Sequence, residues 1–563
     1  MRKFLAIFLF LALLPVSALS GAERLRERVF ISTDREVYVA GDAVWMSAWC
    51  VDAASGCLSD FSSIAYVEIH SPAGMVQTAK IALNGGRGAG RLMLPNTLPT
   101  GNYRLLAYTR LGASEEGFDA LTGARTISVV NTFSTDRIEG GVEIVPQLPV
   151  PVPTPAAGDL EIRTAGSASA SGTTRITIAN RGTREAGFSL SVFHDDGIPG
   201  AGGQRIPDFT AALKRLPAAR GFADDVIPEY EGEIIRARVS GTDEAGRRAT
   251  QDKYAFISSP GSGENLYTEA IDKDGNAIFF TTNIYGNQNM FLEIEDVDKN
   301  NICHLDLLSP FLDLDPGKIP PMRLSAAAAP ALELRKLGMQ LERNFDADTL
   351  YEALPIREHR VFDERDCTRY NLEDYTRFPV MEELFIEFIS ELRVRRVNGH
   401  RVLQVSTHTS DGRFSFRQGN ALVLLDGVPV IDHEKIIHYD PLLVHHIDIY
   451  RSSYAFGIRS FNGIVNFVTY KGTLPSLQFE DNVRIVDFQG CSLPLAYTCA
   501  GVGNDYPDYR QTIWWHPLLT LAPGESLEVE CKTPAYGGRF EVVAEGLDTA
   551  GDALFARTTL DVR

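Results

Sequence analysis

Short runs rich in Val, Ile, Tyr and Phe, separated by Gly, Pro, Asn and Asp, constrain the fold of this chain more than any other feature. "RVFISTDREVYVAGDAVWMSAWCVD", "SSIAYVEIHSP" and "LPTGNYRLLAYTR" follow one another near the N-terminus with turn residues between them. Strand-length runs at this spacing, in a chain with 48 Gly and 29 Pro, are typical of β-sandwiches. We therefore predict a mainly β fold of tandem β-sandwich modules.

The N-terminus predicts export. Arg2 and Lys3 precede an unbroken apolar run from Phe4 to Leu14, and small residues follow up to Ser20. This is the pattern of a secretory signal peptide, and the run is shorter than the roughly 20 apolar residues of a membrane-spanning helix. Because we see no other long apolar run, we expect no transmembrane segment after signal removal. The expected location is the periplasm, the outer membrane or the cell surface.

The charge pattern excludes several classes of function. The formal net charge is −19, and the acidic residues are spread along the chain as on a solvated surface. A nucleic-acid partner is not expected, because phosphates require clustered Lys and Arg. The chain also lacks G-x-S-x-G and the phosphate-binding P-loop, so we predict neither an enzyme nor a cofactor. A carboxylate pair assembled only in three dimensions stays open.

Turn clusters and shifts in composition divide the chain into units. The stretch "PQLPVPVPTPAA" is incompatible with a sheet centre and predicts a stiff spacer. The predicted units are a signal peptide at 1–20, a β-sandwich at 21–132, a Pro-rich linker at 133–157, a β-sandwich at 158–227, a β-sandwich at 228–305, a connector with one helix at 306–370, a small α+β domain at 371–472 and a C-terminal β-sandwich at 473–563.

Two helices are predicted from apolar periodicity. "APALELRKLGMQLERNF" lies in the connector, and "VMEELFIEFISELRV" spans about 380–394. The second helix carries one apolar stripe, formed by Met381, Leu384, Phe385, Phe388, Ile389 and Leu392. We expect this stripe to pack on the sheet of its own domain, although a partner-binding helix has the same pattern.

The seven cysteines allow two disulfides in an exported protein. Cys50 and Cys57 flank the turn-like segment "VDAASG", and Cys491 and Cys499 flank "SLPLAYT". Each pair is a candidate disulfide, and burial as separate small hydrophobic residues is an equal alternative. The chain contains no C-x-x-C, so a zinc knuckle is not expected.

The stretch "IDHEKIIH" at 431–438 resembles a broken H-E-x-x-H zinc motif. Its histidines, His433 and His438, are five residues apart and would point about 140° apart on a helix. His445 and His446 are adjacent, so they would face opposite sides of their predicted strand. We therefore predict no metal site.

Trp514 and Trp515 alternate across the predicted strand in "TIWWHP", so one of them would face outward. An exposed tryptophan would offer a contact for carbohydrate or protein. The alternative that we favour is that both pack at a junction between modules.

Several modules resemble known families. "STDREVYVAGDAVWMSAWCVD" followed by "LPTGNYRLLAYT" resembles the macroglobulin-type sandwich, an Ig-like fold, of large bacterial envelope proteins. The matching residues are Asp34, Arg35, Tyr38, Gly41, Asp42, Trp45, Pro99, Gly101 and Tyr103. The last unit is similar to macroglobulin-like domains through "TIWWHP" and "GRFEVVAEGLDTAGD". The unit at 228–305 resembles carboxypeptidase-regulatory or transthyretin-like sandwiches through "EGEIIRARVSG" and "DKDGNAIFF".

Residues 371–472, which we call the plug-like block, resemble the plug domain of TonB-dependent outer-membrane receptors of the polysaccharide-uptake branch, and the combination of modules resembles a Bacteroidetes-type envelope protein. The resemblance is carried by "ALVLLDGVPV", "HHIDIY" and "FNGIVNFVTYKG". The matching residues are Asp426, Gly427, Val428, Pro429, Ile447, Asp448, Ile449, Gly457, Asn462, Gly463, Ile464, Val465, Thr469, Lys471 and Gly472. The resemblance implies a structural role for these residues in a small α+β domain.

A receptor of that family continues into a β-barrel, and only 91 residues follow Gly472. We therefore expect a non-enzymatic envelope protein that binds or scaffolds an envelope or outer-membrane protein. One alternative is an accessory to TonB-linked nutrient uptake. Another is a macroglobulin-like protease inhibitor, although the thioester motif Cys-Gly-Glu-Gln of that family is absent.

Overall fold

A computed structural model describes most of the chain. The described residues are 25–148, 154–223, 226–241, 253–261, 265–295, 303–344, 350–356, 362, 364–376, 378–408, 414–416, 419, 421–457, 459–498 and 507–563. The predicted signal peptide lies outside them. The fold is mainly β, with several sheets and few helices, which confirms the predicted fold class.

The first module is an eight-stranded β-sandwich. Its strands are β1 (Glu27–Thr33), β2 (Val37–Val39), β3 (Ala43–Asp52), β4 (Ile64–Ser71), β5 (Gly74–Asn84), β6 (Arg87–Met93), β7 (Gly101–Tyr108) and β8 (Arg125–Val130), with α1 (Arg110–Ala113) before β8. The hydrogen-bonded order is β1-β3-β6-β5-β4-β7-β8-β2. Side chains that alternate along the strands fill one core around Ile31, Val67 and Leu105.

Most strands of the next stretch belong to two further sandwiches. Its elements are β9 (Val142–Ile144), β10 (Leu160–Thr164), β11 (Ser167–Ala168), β12 (Thr173–Asn180), β13 (Ala186–Asp195), α2 (Ile206–Leu213), β14 (Ile234–Ser240), β15 (Tyr254–Ser258), β16 (Leu266–Ala270), β17 (Asn276–Phe280), β18 (Asn287–Ile294) and β19 (His304–Leu307). The connector follows with β20 (Met322–Leu324), α3 (Ala329–Asn344) and β21 (Glu352–Ala353). The connector helix is therefore present as predicted.

The plug-like block is a five-stranded sheet of order β22-β28-β29-β26-β27 with a three-stranded sheet β23-β24-β25 and two short helices. The bounds are β22 (Cys367–Asn371), α4 (Met381–Glu387), β23 (Leu392–Val397), β24 (His400–His408), β25 (Phe414–Phe416), β26 (Leu422–Leu425), β27 (Val428–Pro429), α5 (Glu434–Ile437), β28 (Val444–Phe456) and β29 (Arg459–Thr469). Single 3-10 turns lie at Ala326–Ala328, Glu364–Asp366, Leu372–Asp374 and Pro441–Leu443.

The predicted helix over 380–394 is corrected to a shorter one. Helix α4 ends at Glu387, where Phe388 N donates to Leu384 O at 3.1 Å. Leu392 then begins strand β23. The predicted apolar residues are still largely buried in the core of the block, because a tight turn and a strand carry the later ones inward.

The last strands complete earlier sheets. They are β30 (Arg484–Gln489), β31 (Leu495–Ala496), β32 (Thr512–Leu521), β33 (Ser526–Lys532), β34 (Gly538–Asp548) and β35 (Ala553–Val562). Strand β30 pairs with β18 in the sheet β16-β15-β18-β30, which forms the third module with the sheet β17-β14-β19. Strands β32 to β35 join the sheets β10-β12-β33 and β11-β35-β34-β13-β32, which form the second sandwich.

The modules are thus nested, which corrects the predicted separation of 158–227 from 473–563. The plug-like block is inserted in the third module, and the third module is inserted in the second sandwich. Ser191, for example, lies between Val543 and Trp515 in one sheet. The strand patterns are local, whereas the pairing depends on which apolar faces close a common core, here around Phe188 and Phe540.

A candidate binding site at the plug-like block

The "DGVP" stretch forms a two-residue hairpin turn. Strands β26 and β27 pair through Leu424 with Pro429 and Leu425 with Val428, which leaves Asp426 and Gly427 as the loop. Both loop residues are left-handed, with φ of +48° and +81°. A type I′ turn requires these angles, and Asp-Gly is among the pairs that adopt them most easily.

The carboxylate of Asp426 links this turn by hydrogen bonds to the C-terminal end of the plug-like block and the residues just after it. It accepts hydrogen bonds from Thr469 N at 2.7 Å, Thr469 Oγ1 at 2.7 Å and Leu474 N at 2.8 Å. The residue is 1% exposed. On the other side of the turn, Gly427 N donates to Asn466 Oδ1 at 3.1 Å. The carboxylate therefore satisfies two buried backbone donors of the segment 469–474, which lies far along the chain from the turn.

Two motif glycines allow close approach. A Cβ on Gly457, whose φ is +53°, would lie 2.2 Å from Thr268 O in the third module. A Cβ on Gly463, whose φ is +90°, would lie 2.5 Å from Val405 Cβ inside the block. No side chain fits at either place, so Gly457 sets the contact between the block and the third module, and Gly463 sets the packing of β29 against β24.

The other motif residues have different surroundings. Asn462 Oδ1 accepts from Ser453 Oγ at 3.1 Å across β28 and β29. Gly472 N donates to Thr469 Oγ1 at 3.0 Å, whereas Lys471 is exposed. The structure thus brings Asp426, Gly427 and Gly472 together, and it places Gly457 and Asn462 at the opposite end of the strand pair.

The block contacts the third module at both ends of the strand pair β28–β29. Gly261 N donates to Asp426 O at 2.8 Å, and Thr268 Oγ1 donates to Phe456 O at 2.6 Å. Phe291, on β18, is buried in the apolar core of the block. Its ring centroid lies 5.1 Å from that of Phe479. Apolar burial and backbone hydrogen bonds therefore hold the block against the third module.

A cavity of about 550 Å³ lies beside the turn, between the third module and the end of the motif. It is lined by Ser259, Pro260, Gly261, Asn265, Gln288, Asn289, Phe291, Gly472, Thr473 and Leu474. The volume falls within the range of about 300–1,000 Å³ found for small-molecule sites. Sequence reasoning did not find this site, since its residues come from three separate stretches of the chain without a common motif.

Carboxylates meet at the same junction. Lys435 Nζ lies 2.8 Å from Glu480 Oε1, and Glu293 of β18 is close to both. Burial raises the pKa of Glu293 to about 8, with Lys435 opposing the shift and Glu480 and Glu295 adding to it. Near neutral pH the Glu293 carboxyl is therefore largely protonated.

The stretch "IDHEKIIH" contains helix α5 and holds its histidines apart. His433 is buried, and its Nδ1 accepts from Leu403 N at 3.0 Å. Burial lowers the pKa of His433 to about 4, so the ring is neutral at physiological pH. His438 is exposed, and its Nδ1 lies 2.9 Å from Glu434 O. Within the described ranges, no group of three His, Cys, Asp or Glu side chains is arranged to hold a metal ion.

The expectation for His445 and His446 is wrong. Their pairing with β29 is irregular between Val444 and His446, which indicates a β-bulge. The two rings contact each other, with 2.8 Å between their Nδ1 atoms. A bulge breaks the alternation of side chains on which the expectation depended.

The candidate disulfide Cys50–Cys57 is not formed. Cys50 points into the core of the first sandwich, whereas Cys57 lies half-exposed in the turn after β3. Burial, together with the Glu27 carboxylate, raises the pKa of the Cys50 thiol well above its ordinary value. Cys491 is a buried thiol, but Cys499 lies outside the described residues, so that pairing stays a prediction.

Both tryptophans of "TIWWHP" are buried, which excludes the exposed contact for carbohydrate or protein. Trp514 is 5% exposed and packs in the second sandwich. Trp515 is 1% exposed and packs with Trp45 of the first module, Leu350 of the connector and Tyr497. Opposite faces of the strand are therefore covered by different modules.

The Asp-Arg pair of the first module also lies at a junction. Arg35 donates to Asp34 Oδ2 at 2.9 Å and to Asp42 Oδ2 at 2.8 Å. Thr512 Oγ1, from β32, donates to Asp34 Oδ2 at 2.6 Å. Tyr38 Oη donates to Asp34 Oδ1 at 2.8 Å. These residues form a buried network that joins the first module to the second sandwich.

Comparisons with known proteins show only distant likeness. No protein-family model and no curated protein matches the chain. Among solved structures, the chain is similar to Salmonella alpha-2-macroglobulin reacted with methylamine, at 10% identity and a TM-score of 0.24, over 96% of this chain and 40% of that one. Trypsin-activated alpha-2-macroglobulin from Escherichia coli gives 9% identity, a TM-score of 0.24 and coverage of 96% and 42%.

An Escherichia coli adhesin matches over 48% of this chain and 59% of its own, at 10% identity and a TM-score of 0.15. Of the two macroglobulin structures, by contrast, this chain spans less than half the length. Within the described residues, no helix combines the length and apolarity that crossing a bilayer requires.

Proposed function

We propose that this chain is an exported, non-enzymatic envelope protein that binds or scaffolds other proteins, and that the plug-like block is its docking part. The observation that carries the proposal is the close packing of the plug-like block against the third module. After the block the chain continues into β30 of the third module, and Phe291 and Gly457 lie at the contact between the two. A small domain held in this way presents its remaining surface in a defined orientation.

The exposed hairpin of β23 and β24 is the surface that we assign to docking. Its turn is Asn398–Gly399, with φ of +50° and +89°. Arg395 and Arg396 on β23 are both exposed. In a chain of net charge −19, this local positive charge favours an acidic patch on the partner. Nearby, Ile386 is 76% exposed on α4 and offers an apolar contact beside the charges.

The proposal is tested by cross-linking the mature chain in envelope extracts of the producing cell. The docking variant is Arg395→Glu/Arg396→Glu, and the matched control is Arg215→Glu/Arg220→Glu, which reverses two exposed charges outside the block. We expect the parent and the control to recover the same envelope or outer-membrane protein, and the docking variant to lose most of it. Recovery of no specific partner by the parent chain would refute the proposed function.

A further inference from the structure

We propose that the cavity between the third module and the plug-like block binds an uncharged, hydroxyl-rich ligand of the size of a mono- or disaccharide. The cavity is bounded by Ser259–Gly261 and the start of β18 on one side. Gly472–Leu474 bound it on the other side. This is a small-molecule site, separate from the hairpin that we assign to protein docking.

The polar lining consists of amides and hydroxyls. These groups belong to Ser259, Asn265, Gln288, Asn289 and Thr473. An amide presents a donor and an acceptor in one side chain, and a hydroxyl does both with one oxygen. Each hydroxyl group of a ligand also both donates and accepts, so it can form a hydrogen bond with these side chains either as donor or as acceptor.

Part of this lining is already held in place. Asn265 Nδ2 donates to Ser259 Oγ and to Gln288 Oε1, each at 3.1 Å. Gln288 Nε2 in turn donates to Tyr285 O at 3.0 Å. With both amide hydrogens of Asn265 engaged, its Oδ1 is left as an acceptor. The orientation of these groups is therefore set before a ligand arrives, which lowers the entropy cost of binding.

Asn289 is the lining amide with the greatest freedom to bind. It is exposed on β18, and its side chain makes no hydrogen bond within the described part of the chain. Phe291 lies two residues further on the same face of the strand, and with Leu474 it gives the cavity an apolar wall. A sugar ring needs this combination, since its C–H face packs on apolar atoms while its hydroxyl groups bond to amides.

The lining also selects against charged ligands. None of the described residues that line the cavity is Asp, Glu, Lys, Arg or His, although charged residues make up 23% of the chain. A charged ligand would meet no opposite charge among these lining residues, so the part of its charge that lost hydration there would not be compensated. The geometry therefore favours neutral saccharides over uronic acids and amino sugars.

The test is binding to the full mature chain, measured by saturation-transfer NMR and calorimetry. The probes are glucose, N-acetylglucosamine, maltose and cellobiose, with glucuronic acid, glucosamine and triglycine amide as probes of other classes. We expect at least one neutral sugar to bind and to exceed the charged probes. Asn289→Ala should weaken its affinity about tenfold, the equivalent of one hydrogen bond.

The matched control is Asn287→Ala, which changes an exposed asparagine of the same strand that does not line the cavity. It should bind like the parent. The inference is wrong if no neutral sugar binds at about 10 mM, or if a charged probe or the peptide binds as tightly as the best neutral sugar. It is also wrong if both variants lose affinity equally. Partner recovery by Asn289→Ala should stay at the parent level, so failure here and failure of the proposed docking function are distinguishable.

Discussion

Replacing Asp426 by Ala removes the side chain that joins the two ends of the plug-like motif. Its carboxylate accepts three hydrogen bonds, and Thr469 N and Leu474 N would be left buried without these acceptors. Each unsatisfied buried donor costs about 1–3 kcal/mol. Ala also tolerates the left-handed backbone of the turn poorly, which adds about 1 kcal/mol. We expect a loss of about 3–7 kcal/mol in the unfolding free energy of the block.

The measurement is hydrogen exchange by mass spectrometry on the mature chain, with urea unfolding as a second readout. Peptides over 422–430 and 464–474 should lose protection, while the first module should exchange like the parent. The control is Asp274→Ala, which removes an exposed carboxylate in a turn of the third module and should cost less than about 0.5 kcal/mol. A loss below about 1 kcal/mol for Asp426→Ala would refute the assigned role of the carboxylate.

Three further outcomes follow from the same junction. Gly457→Ala would bring a Cβ to 2.2 Å from Thr268 O. Hydrogen exchange should therefore rise in peptides over 266–270 and at the end of β28. The control Gly399→Ala, which has open space around its Cβ, should leave the exchange of these peptides unchanged. Phe291→Ala should destabilise the contact between the third module and the plug-like block by about 3–5 kcal/mol. The readout is lower protection from hydrogen exchange in peptides of both units. Because burial raises the pKa of Glu293 from 4.5 to about 8, the contribution of this group to stability is full below pH 4.5 and is lost as the pH rises from 4.5 to about 8. Glu293→Gln should flatten this decline in urea unfolding, and an unchanged decline would contradict the assignment.

Short-range sequence patterns predicted those features of this protein that depend on neighbouring residues. Asp426–Gly427 occupies the tight turn that the Asp-Gly pair favours, and the connector helix lies at its predicted place. Local signals failed where distant residues decide the outcome. The helix begun at Met381 ends early because Phe388 and the following residues turn into β23, and the bulge at His445 overrides alternation.

The candidate site could not have been found from the chain in linear order. Asn265, Asn289 and Thr473 are ordinary loop and edge-strand residues until β30 returns to pair with β18 and sets the plug-like block against the third module. Cys50 and Cys57 are close in sequence, but the direction of β3 sends the first thiol into a core and leaves the second in a turn.

The sequence by itself determined a mainly β chain and favoured a tight turn at Asp426–Gly427, because these depend on side-chain alternation and on the φ values that each residue tolerates. Only the tertiary structure decided that the second sandwich and the third module are each closed by strands from the far end of the chain. Strand pairing is a choice among many compatible edges, and the burial of shared apolar faces, which no local pattern records, makes that choice.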